Sequence, residues 1–157
     1  MPETFTPRDP AFEERVRRSF ARQPLMATLG ATLDRVAPGE VEIGVPYRAE
    51  LCQQNGYLHA GAIASIADSA CGYAAFTLSE PDTDVLAVEF KINLMAPARG
   101  ERFVARARVL RSGRTLSVVL AEVIANGSGT PAVVATMLST IIVRPGAGSG
   151  AAVEGGS

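Results

Sequence analysis

The chain has 157 residues, 47% hydrophobic and 20% charged, enough for one domain with a sizeable core. A formal net charge of −1 gives no overall attraction to nucleic acid or to an anionic membrane, so neither is an expected partner. No apolar run reaches the ~18 residues of a membrane span, the first residues lack the apolar centre of a signal peptide, and two cysteines without a CxxC or Cys/His cluster suggest neither a disulfide framework nor a zinc site.

Residues 1–8 carry no periodic pattern. Asp9-Pro10 is a helix start, since Asp can cap and Pro suits the first turn. Phe12, Val16 and Phe20 then recur every four residues and predict a short amphipathic helix to about Gln23, where Pro24 breaks it. Residues 25–37 are expected to include a first strand, with Pro38-Gly39 as the turn after it. Val41, Ile43 and Val45 alternate with Glu40, Glu42 and Gly44, the period of a half-buried strand.

A polar loop comes next, Gln53-Gln54-Asn55-Gly56-Tyr57-Leu58-His59-Ala60-Gly61, and it holds the single histidine. From about Ala60 to Thr77 a helix of small and apolar residues is predicted, ended by Ser79-Glu80-Pro81. Ile63, Ala67, Ala70 and Ala74 fall on one stripe, and small residues fill much of the rest, so surrounding backbone can approach closely. Asp68 is the one charged side chain in this helix, nine residues after His59. A carboxylate in such a setting is costly unless something pairs with it or uses it. Gly72 inside the helix costs ~1 kcal/mol relative to Ala; a tight helix–sheet contact or a ligand contact would explain it. Cys52 and Cys71 read as small core residues, and Tyr73 as packing.

The remainder reads as sheet. Leu86–Met95 and Arg102–Leu110 alternate in apolar character, Ser112-Gly113 turns the chain into Thr115–Ala125, and Asn126-Gly127 signals a hairpin into Ala132–Val143. The last three strands form an antiparallel run, so the class is α+β. From residue 145 the chain is rich in Gly, Ser and Ala and is expected to be a flexible tail, 145–157. The domain itself would span 25–144, with 1–24 an N-terminal extension that carries the short helix.

A strand, a loop reading Q-x-x-G-x-x-H-x-G, a small-residue helix with an acid nine residues after the His, and a long antiparallel sheet resemble the hotdog-fold thioesterases, in particular the phenylacetate-pathway, PaaI-like branch of acyl-CoA thioesterases. Asn93-Leu94-Met95-Ala96-Pro97-Ala98-Arg99-Gly100 resembles that family's N-x-x-x-P-x-x-G strand end. The resemblance implies a hotdog fold, a long central helix wrapped by a mainly antiparallel sheet, and hydrolysis of an aryl or medium-chain acyl-CoA to the free acid and CoA, with no cofactor; the cytoplasm is the default location for a chain with neither a signal-peptide pattern nor a disulfide framework. It matches Asp68 to the carboxylate that acts as base or nucleophile, and Gln53 to the loop amide, with Gln54 or Asn55 as alternative registers. It matches His59 to the motif histidine, which reads equally as a helix-start cap, and Ala60 to the residue whose backbone N–H polarises the thioester carbonyl. Asn55 and Gly61 join them as substrate-binding candidates, and Tyr57 could line an acyl pocket. The usual His-Gly-Gly is His-Ala-Gly here, which keeps the N–H, and Ala87 stands where relatives often carry a hydroxyl. Other readings are a hotdog hydratase or dehydratase and a non-catalytic acyl-CoA-binding module.

Six arginines lie between Arg99 and Arg114, offset only by Glu101. Arginine forks suit phosphates, so Arg111, Ser112, Gly113, Arg114 and Thr115 are candidate contacts for the phosphates of coenzyme A, against the plainer reading of a solvated sheet face. A single sheet on one helix leaves an edge strand, and Leu86–Met95 is the candidate for pairing with a second copy. The resemblance implies such a homodimer, often doubled to a tetramer, with Asp68 from one subunit and Gln53, His59 and the Ala60 N–H from the other.

Overall fold

The computed structural model describes residues 4–146. Asp9 Oδ1 accepts from the Ala11 N–H at 2.9 Å and leads the chain into α1, Phe12–Ala21, whose Val16 is fully buried. Pro24 then starts a helix instead of only ending one. It occupies the first turn of α2, Pro24–Leu29, where its missing N–H is not needed. Gly30, with φ of +68°, ends α2 in the left-handed conformation that glycine adopts without strain. The first strand is therefore confined to β1, Thr32–Ala37.

Pro38-Gly39 turns β1 into β2, Glu40–Pro46, and the long helix α3 runs Ala60–Phe76. The remaining strands are β3, Thr83–Leu94, β4, Arg102–Ser112, β5, Leu116–Asn126, and β6, Ala132–Pro145. All pair antiparallel in one six-stranded sheet of order β1-β2-β4-β5-β6-β3. This is the hotdog arrangement of a sheet wrapped on a central helix. β3 comes directly after α3, yet it does not join β4. Because β2 already occupies that side of β4, α3 crosses the sheet and delivers β3 to the far edge, beside β6.

α3 lies on the inner face against strands from β2 to β6. Ile66, Ala67, Ala70, Cys71 and Ala74 are wholly buried there, against Val41, Ile43, Phe103, Ala105, Val119, Ala121 and Ile141. Alanine on both surfaces brings helix and sheet close, and each fully buried Val or Ile contributes about 1.5–3 kcal/mol.

The N-terminal helix is fastened to the end of α3 by one side chain. The Arg15 guanidinium donates to the carbonyls of Phe76 (3.1 Å), Ser79 (2.9 Å) and Glu80 (2.6 Å), lies 4.3 Å over the Phe76 ring and pairs with Asp9 at 3.3 Å. A cation at a helix C-terminus meets the negative end of its dipole. At the sheet edge away from β1, β3 pairs only with β6 among the described residues, and its Leu86, Val88, Phe90 and Leu94 are each about half exposed. The expected tail lies, beyond Gly146, outside the described residues; Pro145 itself closes β6 opposite Thr83.

Candidate active site

The polar loop is tied down on both sides. The Gln53 N–H donates to the Tyr57 carbonyl at 2.9 Å and the Gly56 N–H to the Gln53 carbonyl at 3.0 Å, a turn that needs the positive φ of Gly56, +81°. Leu58 N–H bonds Ala98 O and His59 N–H bonds Leu51 O. The Gln53 side-chain oxygen accepts from the exposed Asn55 N–H, which leaves its amide nitrogen without a partner among the described residues.

His59 caps α3. Its Nδ1 accepts the Gly61 N–H at 2.7 Å, so the ring proton sits on Nε2 and the Gly61 donor is consumed. Ala62 and Ile63 N–H groups both turn to the His59 carbonyl. Ala60 N–H, first in the helix, makes no hydrogen bond among the described residues. Ala60 lines a cavity of about 470 Å³ that Gln53, Tyr57 and Ile63 share with residues 94–98 at the end of β3. A free N–H at the positive end of a helix is a site for developing negative charge.

Asp68 lies eight residues on, about 12 Å along the helix axis, and faces another cavity of about 280 Å³. That one is walled by α3, by Ser19 and Gln23 of the N-terminal segment, and by residues 84–87 at the start of β3. Asp68 Oδ1 is buried and makes no hydrogen bond among the described residues. Burial pushes its pKa up. The neighbouring Cys71 thiol is pushed up to about 12, by burial first and by the Asp68 charge second, so it is no nucleophile. One chain thus keeps Asp68 apart from Gln53, His59 and Ala60.

The arginines divide. Arg102 pairs with Asp34 at 2.6 Å, Arg106 with Glu42 at 3.3 Å, and Arg108 stands opposite Glu40, so these three belong to the charged outer face of the sheet. Arg111, Ser112, Gly113, Arg114 and Thr115 form the β4–β5 turn, where Arg111 and Arg114 have no ion pair among the described residues. The turn lies at the α3 C-terminal end, since the neighbouring Val109 N–H bonds Gly39 O and the Gly39 N–H bonds Thr77 Oγ1. Arg99 is different again: its guanidinium lies 4.7 Å over the Tyr57 ring and bonds its hydroxyl, beside the Ala60 cavity.

Gly72 is not the tight helix–sheet contact its position suggested. A methyl group there would meet nothing within 4 Å, and the residue lies on the wall of the Asp68 cavity. Neither Ser19 on α1 nor Gln23 in the link to α2 carries a sequence signal of the cavity it covers, since that depends on the surface α1 packs against.

The sequence model of the thioesterase superfamily matches residues 55–132. The crystal structure of a thioesterase family protein from Silicibacter pomeroyi is 51% identical to this chain, covers 86% of it and 99% of its own length, and superposes with a TM-score of 0.84. The chain belongs to the thioesterase superfamily. A curated relative from Saccharolobus solfataricus that carries an esterase name is 36% identical over 84 residues, 54% of this chain and 59% of that protein. The chain thus spans about three-fifths of that relative's length. The PaaI protein of the Escherichia coli phenylacetic acid degradation operon shares the hotdog fold at 18% identity, with a TM-score of 0.77 over 86% of this chain and 94% of its own. No helix among the described residues is long and apolar enough to cross a membrane.

Proposed function

We propose that this superfamily member is a cytoplasmic acyl-CoA thioesterase that hydrolyses an aryl or medium-chain acyl-CoA to the free acid and CoA, and that it acts as a homodimer, alone or doubled. The observation that carries the reading is the division of the site. Ala60, whose N–H is unbonded among the described residues, and Asp68 line separate cavities, one at the end of β3 and the other at its start. Pairing the bare β3 edge antiparallel with its copy lays the start of one strand against the end of the other. Each Asp68 cavity then meets the partner's Ala60 cavity, and two composite sites form.

In such a site the thioester carbonyl oxygen lies against the Ala60 N–H, which stabilises the oxyanion as it develops. Asp68 from the other subunit drives attack on the carbonyl carbon, through a water it deprotonates or with its own oxygen. The C–S bond breaks, CoA leaves as the thiol, and water supplies the acid's second oxygen. Gln53 offers its free amide nitrogen to the water or the thioester. His59 acts through the helix end that it caps, holding the loop and the first turn in register; Asn55 does the same for Gln53, and Gly61 serves as the donor that seats the cap. The β4–β5 turn, Arg111 to Thr115, holds the phosphates of CoA with guanidinium groups that no acid among the described residues engages.

Thiol release measured over a panel of acyl-CoAs tests the reading. Turnover is expected on at least one aryl or medium-chain ester, whereas binding without thiol release would make the chain an acyl-CoA-binding module. Replacing Arg111 and Arg114 with Ala should raise KM for the acyl-CoA by ~10-fold or more, and more than it lowers kcat, because a phosphate contact acts in ground and transition states alike. An equal loss on nucleotide-free acyl thioesters would assign the turn a structural role.

A further inference from the structure

We infer that Gly72 and Gln23 determine which acyl groups the Asp68 cavity accepts, Gly72 as its floor and Gln23 as its roof. The inference rests on the thioesterase reading and concerns the acyl half of that same site. Asp68, Ser69, Gly72, Tyr73 and Phe76 recur on one face of α3 and line the cavity in that order. Gly72 comes four residues after Asp68, about 6 Å along the axis, the position an acyl chain reaches as it leaves a carbonyl held beside that carboxylate.

Two latches bracket Gly72. The Ser69 hydroxyl donates to Gln23 Oε1 at 3.2 Å, and the Tyr73 and Ser19 hydroxyls meet at 3.3 Å. They hold the end of α1 and its link to α2 against α3 on both sides of residue 72. Between them the segment does not descend into the gap, and a Cβ on Gly72 would find open space. The third wall is the start of β3, where Ala87 contributes only a methyl group. The fold therefore keeps a space open next to Asp68 at a helix position where alanine would favour the helix itself. Packing does not require this glycine, whereas a bound acyl group does. The roof comes from residues 19–23, outside the segment 55–132 matched by the superfamily, so the acyl preference it sets belongs to this chain's own N-terminal segment.

The test uses the whole chain and four esters, acetyl-, butyryl-, hexanoyl- and phenylacetyl-CoA. The readout is the ratio of kcat/KM for each longer ester to that for acetyl-CoA. Gly72→Val should lower the hexanoyl and phenylacetyl ratios by ~10-fold or more, and Gly72→Ala by less, since valine adds three carbons to the cavity wall and alanine one. Gln23→Ala should act in the opposite sense and raise the phenylacetyl ratio. Gly72→Ala carries the test should the valine variant fail to fold. Unchanged ratios in folded Gly72 variants, or an equal loss on every ester, overturn the inference. A parent chain that hydrolyses none of the four overturns the thioesterase reading instead. The cavity is then judged by calorimetry with the matching S-alkyl CoA thioethers. Affinity that rises with alkyl length in the parent and not in Gly72→Ala upholds it, and affinity independent of length refutes it.

Discussion

Asp68 holds one oxygen where neither water nor the protein's described donors reach it, and the fold bears that strain in its ionised form. Asp68→Asn keeps the shape and removes the charge. Thioesterase turnover should fall by at least ~10²-fold, as for loss of a positioned base, while the melting temperature at pH 7 rises by about 2–4 °C, the response of a chain this size to about 1 kcal/mol. The pH dependence has a definite sign. Burial raises the folded-state pKa of this carboxyl, so its contribution to stability is intact below the ordinary carboxylate range and is lost as pH rises through the raised value. The gain from Asp68→Asn should therefore vanish near pH 4 and grow above it, and the acid limb of parental kcat/KM should lie above the ordinary range. Thermal melts and rate profiles at several pH values decide both. Ala60 allows a separate backbone test. Proline is favoured at the first position of a helix, and His59, at φ −64° and ψ 139°, already has the extended geometry that a following proline requires. Ala60→Pro thus deletes one N–H with little disturbance, and kcat should drop by ~10²–10³-fold while circular dichroism and melting stay near parental values. Asp68 was legible in the sequence because a lone charge in an alanine-rich helix has no bland reason to be there. Gln23 was not, because its role is set by the surface α1 folds against.

Arg15 shows how one side chain positions an element. Its guanidinium satisfies three carbonyls at and just past the end of α3 and so fixes α1, and with it Ser19 and Gln23, over the Asp68 cavity. Arg15→Met keeps the bulk over Phe76 and removes the guanidinium from those carbonyls and from its ion pair with Asp9. A loss of about 2 kcal/mol is expected from the severed charge-assisted bonds, a fall of about 4–8 °C in melting temperature; a fall of under a degree would show that α1 is held by its apolar face alone. The elements themselves were largely legible. Alternation in Val41–Val45 and in the last three strands reports a face buried against α3 and a face left outside, whereas in Leu86–Met95 it marks an apolar face that one chain leaves half exposed. Two things did not show. Pro24 reads as a breaker after one helix and as an opener before the next, and the short run from it to Leu29 is too brief to display a helical period. The pairing of β3 with β6 is a long-range choice, and alternation within a strand says which face is buried without saying which neighbour it has.

For the molecule as a whole, the separation of Asp68 from Ala60 leads to a mixing experiment. Asp68→Ala and Gln53→Ala proteins, each weakly active alone, are unfolded and refolded together with different tags. A mixed dimer carries one site with both defects and one intact site, so about a quarter of parental activity should return when half of the dimers are mixed. Mixed dimers that form without recovered activity would show that each chain builds its site alone. The fold class and the loop-plus-helix candidate site were legible as a resemblance, but the division of the candidate residues between two cavities was not, since the distance along α3 matters only once the sheet edge is known. The strand order also sets a timetable. Thr83 lies opposite Pro145, and among the described residues of one chain β6 is the only strand to which β3 is bonded. During synthesis β3 emerges with its apolar side chains and has no place in the sheet until β6 is made. The roughly 50 residues between their ends take on the order of 3–10 s to add. A chain that terminates before residue 132 would keep its helix and most of its core sequence and still never seat β3, leaving a sticky ribbon for quality control to find.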